Sequence, residues 1–150
     1  MHVMTRYLDT HKAAIKALQD YQFMEAAAQP NQEAATLKAD LTCVSSPTMD
    51  GMPHARDPHR GESRITATLD KIDVLEQRTA QARQYLHWFG TAWDRLSDDD
   101  RFVLENFFLG EGSQEEKVRF LGEHFHVERD SVYRKKNRAV ERLAVALYWK

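Results

Sequence analysis

A single cysteine, Cys43, stands among the 150 residues, so no internal disulfide can form. No basic cluster surrounds it in sequence to activate the thiol. No apolar run approaches the roughly 18 residues that cross a bilayer, so no membrane partner is expected. The N-terminus lacks the basic, apolar and small-residue succession of a secretory signal, and a cytoplasmic location is the expectation. Strict apolar–polar alternation is missing as well. Val, Ile and Thr are scattered, which argues against strands and for an all-α chain. Metal-ligand spacing is absent: neither His124 with His126 nor His54 with His59 has a Cys or carboxylate set around it. There is no nucleophile–base pair and no Gly-rich phosphate loop, so neither an enzyme, a metal nor a cofactor is expected. Helix capping accounts for Asp98, Asp99 and Asp100 more simply than catalysis does.

What is present is helical periodicity. From about Met4 to Ala28, the residues Met4, Leu8, Ile15, Leu18 and Met24 recur near helical spacing, and Pro30 ends the run. Asn31 to Leu41 adds a short helix, and residues 1–42 form the N-terminal helix region. Residues 43–61 read as a flexible linker punctuated by Pro47, Gly51, Pro53, Pro58 and Gly61. Residues 62–96 form the longest helix, about 50 Å at 1.5 Å per residue. Along it Ile65, Ile72, Thr79, Leu86 and Trp93 fall seven apart. Thr68, Leu75, Ala82, Phe89 and Leu96 do the same, offset by three, which is the a/d seam of a coiled coil. Such a seam needs a cover. Either the N-terminal helix folds back on it as a hairpin, or a second copy makes a homodimer through 62–96. Gly90 flanks the seam and is expected to let a partner approach closely. Trp88, Trp93 and Trp149 are expected as core or interface anchors.

The last segment, residues 97–150, carries the chemistry. Ser97 before three aspartates is a helix start, and the helix through Phe102, Val103, Leu104, Phe107 and Phe108 stops at Gly110. Ser113 with Glu116 is a capping box opening a helix with Val118, Leu121, Gly122 and Phe125 on one face. A tight turn at His126 and Val127 leads into a final helix, Ser131 to Tyr148. Its expected buried stripe is Val132, Ala139, Leu143, Ala146 and Leu147. Two helices joined this way form a helix-turn-helix, with Gly122 allowing the close crossing. Charge is distributed to match. Residues 97–125 carry three Lys/Arg and eight Asp/Glu, a balance of −5, whereas 126–150 carry seven and three, a balance of +4. The whole chain, at −2, hides this asymmetry. Arg129, Asp130, Ser131 and Arg134 lie nearest the end that would enter a major groove and are candidates for base contacts. Lys135, Lys136 and Arg138 are candidates for phosphates, with Asn137 and Arg142 on the same helix. Tyr133 has two open readings, a phosphate contact through its hydroxyl or a place in the core.

Val127 to Leu143, with Val132, the basic run Arg134-Lys135-Lys136-Asn137-Arg138 and Ala139-x-x-x-Leu143, resembles the region 4 domain of bacterial sigma factors. The resemblance spans Leu96 to Leu147. Two positions depart from the pattern: His126 stands where glycine is usual, and Glu128 where a capping serine is usual. The linker stretch Ser46-Pro47-Thr48-Met49-Asp50-Gly51-Met52-Pro53 before a long helix extends the likeness. The whole resembles phage and prophage regulators of the RinA and ArpU kind. That resemblance implies a sigma region 4-like helix-turn-helix after a coiled-coil-like hairpin. It also implies a transcription regulator that binds promoter DNA through the recognition helix 129–147, with RNA polymerase as a further partner, in the nucleoid of a bacterial host. Two alternatives stay open: a small terminase-like or architectural DNA-binding protein, and a module that docks on RNA polymerase without binding DNA.

Overall fold

In the computed structural model of the protein, residues 9–43 and 58–148 are described, 58–60 by their backbone alone. Among the described residues every regular element is helical. In order they are α1 (Thr10–Ala27), α2 (Gln32–Thr42), α3 (Pro58–Trp93), α4 (Asp98–Leu104), α5 (Gln114–Phe125) and α6 (Arg129–Tyr148). A π-helical turn, Glu105–Leu109, continues α4. Met4, Leu8, the stretch Ser46–Pro53, His54 and Trp149 lie outside the described residues, as does the His59 side chain.

The boundaries move in two places. The expected linker gives up its last residues to α3, which begins at Pro58 rather than Glu62. Proline suits a first helical position, because its fixed φ is already helical and its missing N–H has no partner there. The helix expected to run on to Leu109 changes character after Leu104, where the π turn takes over. Asn106 Nδ2 donates to the Phe102 carbonyl at 2.8 Å inside this stretch. Gly110 follows because nothing larger fits: a Cβ there would lie 2.5 Å from the Asn106 carbonyl oxygen.

The chain divides into two compact units. One is Glu25–Gln84, containing α2 and most of α3. Asn31 caps α2, its side chain accepting from the Ala34 N–H at 3.1 Å. Ala34, Ile72, Thr79 and Ala82 are buried. Lys71 pairs with Glu33 at 2.5 Å, and Lys38 pairs with Glu76. The other unit joins the described residues up to Met24 with those from Tyr85 on. Its core is continuous across α1, α3 and the C-terminal helices. Ala14, Leu18, Phe89 and Leu96 belong to the same cluster as Leu104, Leu121, Val132 and Leu143. Residues 97–148 therefore do not close a core by themselves. Tyr85 contributes directly, donating its hydroxyl to the Ala17 carbonyl.

The heptad seam is only partly covered. Ile72 and Thr79 in one unit, and Phe89 and Leu96 in the other, are buried, while Ile65 is 52% exposed. Within the chain itself nothing packs closely on Gly90: a Cβ built there meets nothing within 4 Å.

α5 and α6 are joined by three residues. The capping box of α5 is formed: Ser113 N–H donates to Glu116 Oε2 at 2.8 Å, and Glu116 N–H to Ser113 Oγ at 3.3 Å. His126 ends α5 in the left-handed region, φ 53° and ψ 46°, and lets Val127 N–H return to the Gly122 carbonyl at 3.0 Å. The missing side chain of Gly122 allows this return, because a Cβ would lie 3.0 Å from the Val127 carbonyl oxygen and 3.7 Å from Val132 Cγ2. Along α6 the buried residues are Val132, Ala139, Val140, Leu143, Ala144 and Leu147. The stripe is thus wider than expected, with Ala146 at its edge rather than within it.

Candidate nucleic-acid interface

The side of α6 opposite the core is polar and carries charges of both signs. At about 100° per residue, Arg134, Asn137 and Arg138 fall within one 100° sector. All three are exposed, and the exposed Asp130 and Glu141 fall inside the same sector. Ser131 lies one turn before Arg134 and is half-buried. Arg134, Arg138 and Arg142 succeed one another at four-residue intervals, so they form a row along the helix. Arg129 is exposed at the first position of α6 but is turned about 140° from Arg134. It belongs to the tip of the helix, not to the row.

The two lysines differ from a solvated pair. Both are half-buried. Lys135 Nζ sits 4.6 Å over the centre of the Phe125 ring, and Lys136 Nζ 5.0 Å over that of Phe107. A cation over an aromatic face is held by the ring quadrupole, which restricts where the ammonium points. The open choice at Tyr133 falls toward packing. Its ring meets Phe107 edge-on at 6.2 Å, and its hydroxyl accepts from Gln114 Nε2 at 3.4 Å.

Arg142 is the correction to the expected set of free cations. Its Nη1 donates to both carboxylate oxygens of Asp100, at 2.9 and 2.7 Å. Asp100 is 8% exposed, and Ser97 Oγ donates to its Oδ2 at 2.8 Å. The hydrogen bond to Asp100, then its charge, then that of Glu141, raise the Arg142 pKa further above its ordinary value. Sequence reading missed Asp100 because all three aspartates look like helix-start acids. Only the third, at the position whose N–H meets Ser97 Oγ, turns inward.

Other polar groups have local roles. His124 stacks on Phe102, with ring centres 4.2 Å apart, and His126 holds the left-handed turn. Glu116 titrates below the ordinary carboxylate range because the Ser113 N–H stabilises its charged form. An open groove of about 800 Å³ borders the tip of α6, lined by Glu115, Arg119, Glu123, His126, Glu128 and Arg129 among others. Among the described residues no three His, Cys, Asp or Glu side chains gather closely enough to hold a metal ion. No helix there is long and apolar enough to cross a membrane. Comparison with family models, curated proteins and solved structures gives no match.

Proposed function

We propose that the protein binds double-stranded DNA through α6 as a transcription regulator, with α5, the His126 turn and α6 acting as a helix-turn-helix of the sigma region 4 kind. One observation carries the reading. Arg134, Asn137 and Arg138 face solvent together on a helix whose other side is locked by Val132, Ala139 and Leu143. Arginine and asparagine are the side chains that pair bidentately with guanine and adenine edges in a major groove. Lys135, held over the Phe125 ring, supplies a cation beside that ridge for phosphates, while Lys136, held over Phe107, lies about 160° round the helix from Arg134. The likeness of Leu96–Leu147 to sigma region 4 adds promoter DNA as the class of target and RNA polymerase as a further partner.

The test is selection of bound sequences from a random DNA pool, followed by fluorescence anisotropy on the winning duplex and on a random one. Arg134→Ala is expected to cost about 1–3 kcal/mol on the selected duplex and little on the random one. Lys135→Ala is expected to weaken both alike. Equal loss on both duplexes for Arg134→Ala counts against base reading. Absence of binding to any duplex at low salt counts against the proposal as a whole.

A second reading, docking on a protein without DNA, is favoured by one feature. Phe120, on the outer side of α5, is 50% exposed and lies 6.1 Å from the Phe102 ring. A protein partner retained by a variant that has lost all DNA binding would select it.

A further inference from the structure

The row Arg134, Arg138 and Arg142 has the spacing of a phosphate-tracking ridge, but its third member is already engaged. Asp100 reaches it from the first turn of α4. The Ser97 hydroxyl donates to carboxylate Oδ2 and Arg142 Nη1 to both oxygens, while the Asp100 backbone N–H donates to Ser97 Oγ and fixes the residue. The guanidinium, in contrast, lies at the surface, with 60% of its side chain exposed against 11% for Asp100. A buried carboxylate stripped of its cation is costly, whereas a surface guanidinium meets either a carboxylate or a phosphate with the same hydrogen-bond geometry.

We infer that Asp100 occupies, from inside the protein, the place at Arg142 that a DNA phosphate would otherwise take, and so removes one phosphate contact from α6. This rests on the reading of α6 as the DNA-binding helix. A row of three cations would bind the backbone irrespective of sequence. With Arg142 neutralised, the ridge keeps Arg134 and Arg138, and the sequence-independent part of the affinity is trimmed by one contact. The other two aspartates of the run do not share this role. Asp98 pairs with Arg101 on its own helix, and Asp99 is exposed.

The test is the salt dependence of binding to a random-sequence duplex, using the full chain. Asp100→Asn keeps the shape of the side chain and frees the charge of Arg142. Its plot of log affinity against log salt is expected to steepen by about 0.9, the increment of one further phosphate contact. Asp99→Asn makes the same change in net charge one residue away and is expected to leave the slope as it is. The charge-balanced pair Asp100→Asn with Arg142→Gln is expected to match the wild type, and it carries the test alone if Asp100→Asn does not fold by circular dichroism. An unchanged slope in folded Asp100→Asn overturns the inference. So does an equal steepening in Asp99→Asn, or a slope shallower by about 0.9 in the double variant. If the wild-type protein binds no duplex at low salt, the DNA reading falls and this inference with it. If the wild type binds and only these slopes disagree, the inference alone is lost.

Discussion

The unit Glu25–Gln84 and the unit containing α4, α5 and α6 are both helical, yet they are held by different means. In the first, Ala34, Ile72, Thr79 and Ala82 are the buried side chains among those described, and two exposed Lys–Glu pairs link α2 to α3. In the second, Leu18, Leu104, Leu121, Val132, Val140 and Leu143 are almost wholly removed from water. A fully buried aliphatic side chain contributes about 1.5–3 kcal/mol, while an exposed ion pair contributes about 0–1 kcal/mol. Stability, and with it the accuracy with which α6 is presented, is therefore concentrated in the second unit.

Five changes would break or sharpen this contrast. Leu143→Ala is expected to lower unfolding free energy by about 2–5 kcal/mol in chemical denaturation, because the site is closed on every side. Ile72→Ala should cost less, since its neighbours along α3 are largely exposed and water can reach the space. Equal losses would refute the contrast. Gly122→Val should cost about 1–3 kcal/mol by forcing α5 from the turn, given the 3.0 Å approach to the Val127 carbonyl. The readout is the denaturation midpoint, and an unaltered midpoint would mean that this crossing is not close-packed.

The fourth change is in pH. Burial, helped by the charge of Asp20, pushes the Tyr85 hydroxyl from 10.0 up to about 12. The unfolded chain gives up this proton first. The stabilisation is therefore complete below pH 10 and is lost as pH rises toward the folded value of about 12. Absorbance titration of the phenolates should show a late step that Tyr85→Phe removes; a titration without it would show that Tyr85 is open to water. The smallest effect is Glu33→Gln. Removing one partner of the exposed Lys71 pair should shift stability by no more than about 1 kcal/mol in the same denaturation assay. A larger loss would mean that surface charge, not burial, holds the unit Glu25–Gln84.

Much of the candidate interface is legible in the sequence, for a local reason. Ser97, Ser113 with Glu116, and the α6 stripe through Val132, Ala139 and Leu143 are patterns within a few residues of one another. The Gly122 crossing is legible too, because the turn and the glycine lie four residues apart. The π turn is not, since Phe102 to Leu109 is apolar at nearly every helical phase and gives no sign of an inserted residue. Nor is the disposition of the cations. Nearness in sequence groups Arg129 with Arg134, whereas helical phase separates them.

The amino-acid sequence by itself determined the helices, their caps, the turn at His126 and the concentration of positive charge on α6. Each of these depends on backbone hydrogen bonds and side chains only a few positions apart. Which cations remain open to a ligand was decided only in three dimensions. Asp100 and Arg142 stand forty-two residues apart, and Phe107 and Phe125 reach Lys136 and Lys135 from other helices. Pairings of that kind depend on how separate helices pack, and a linear pattern carries no record of it.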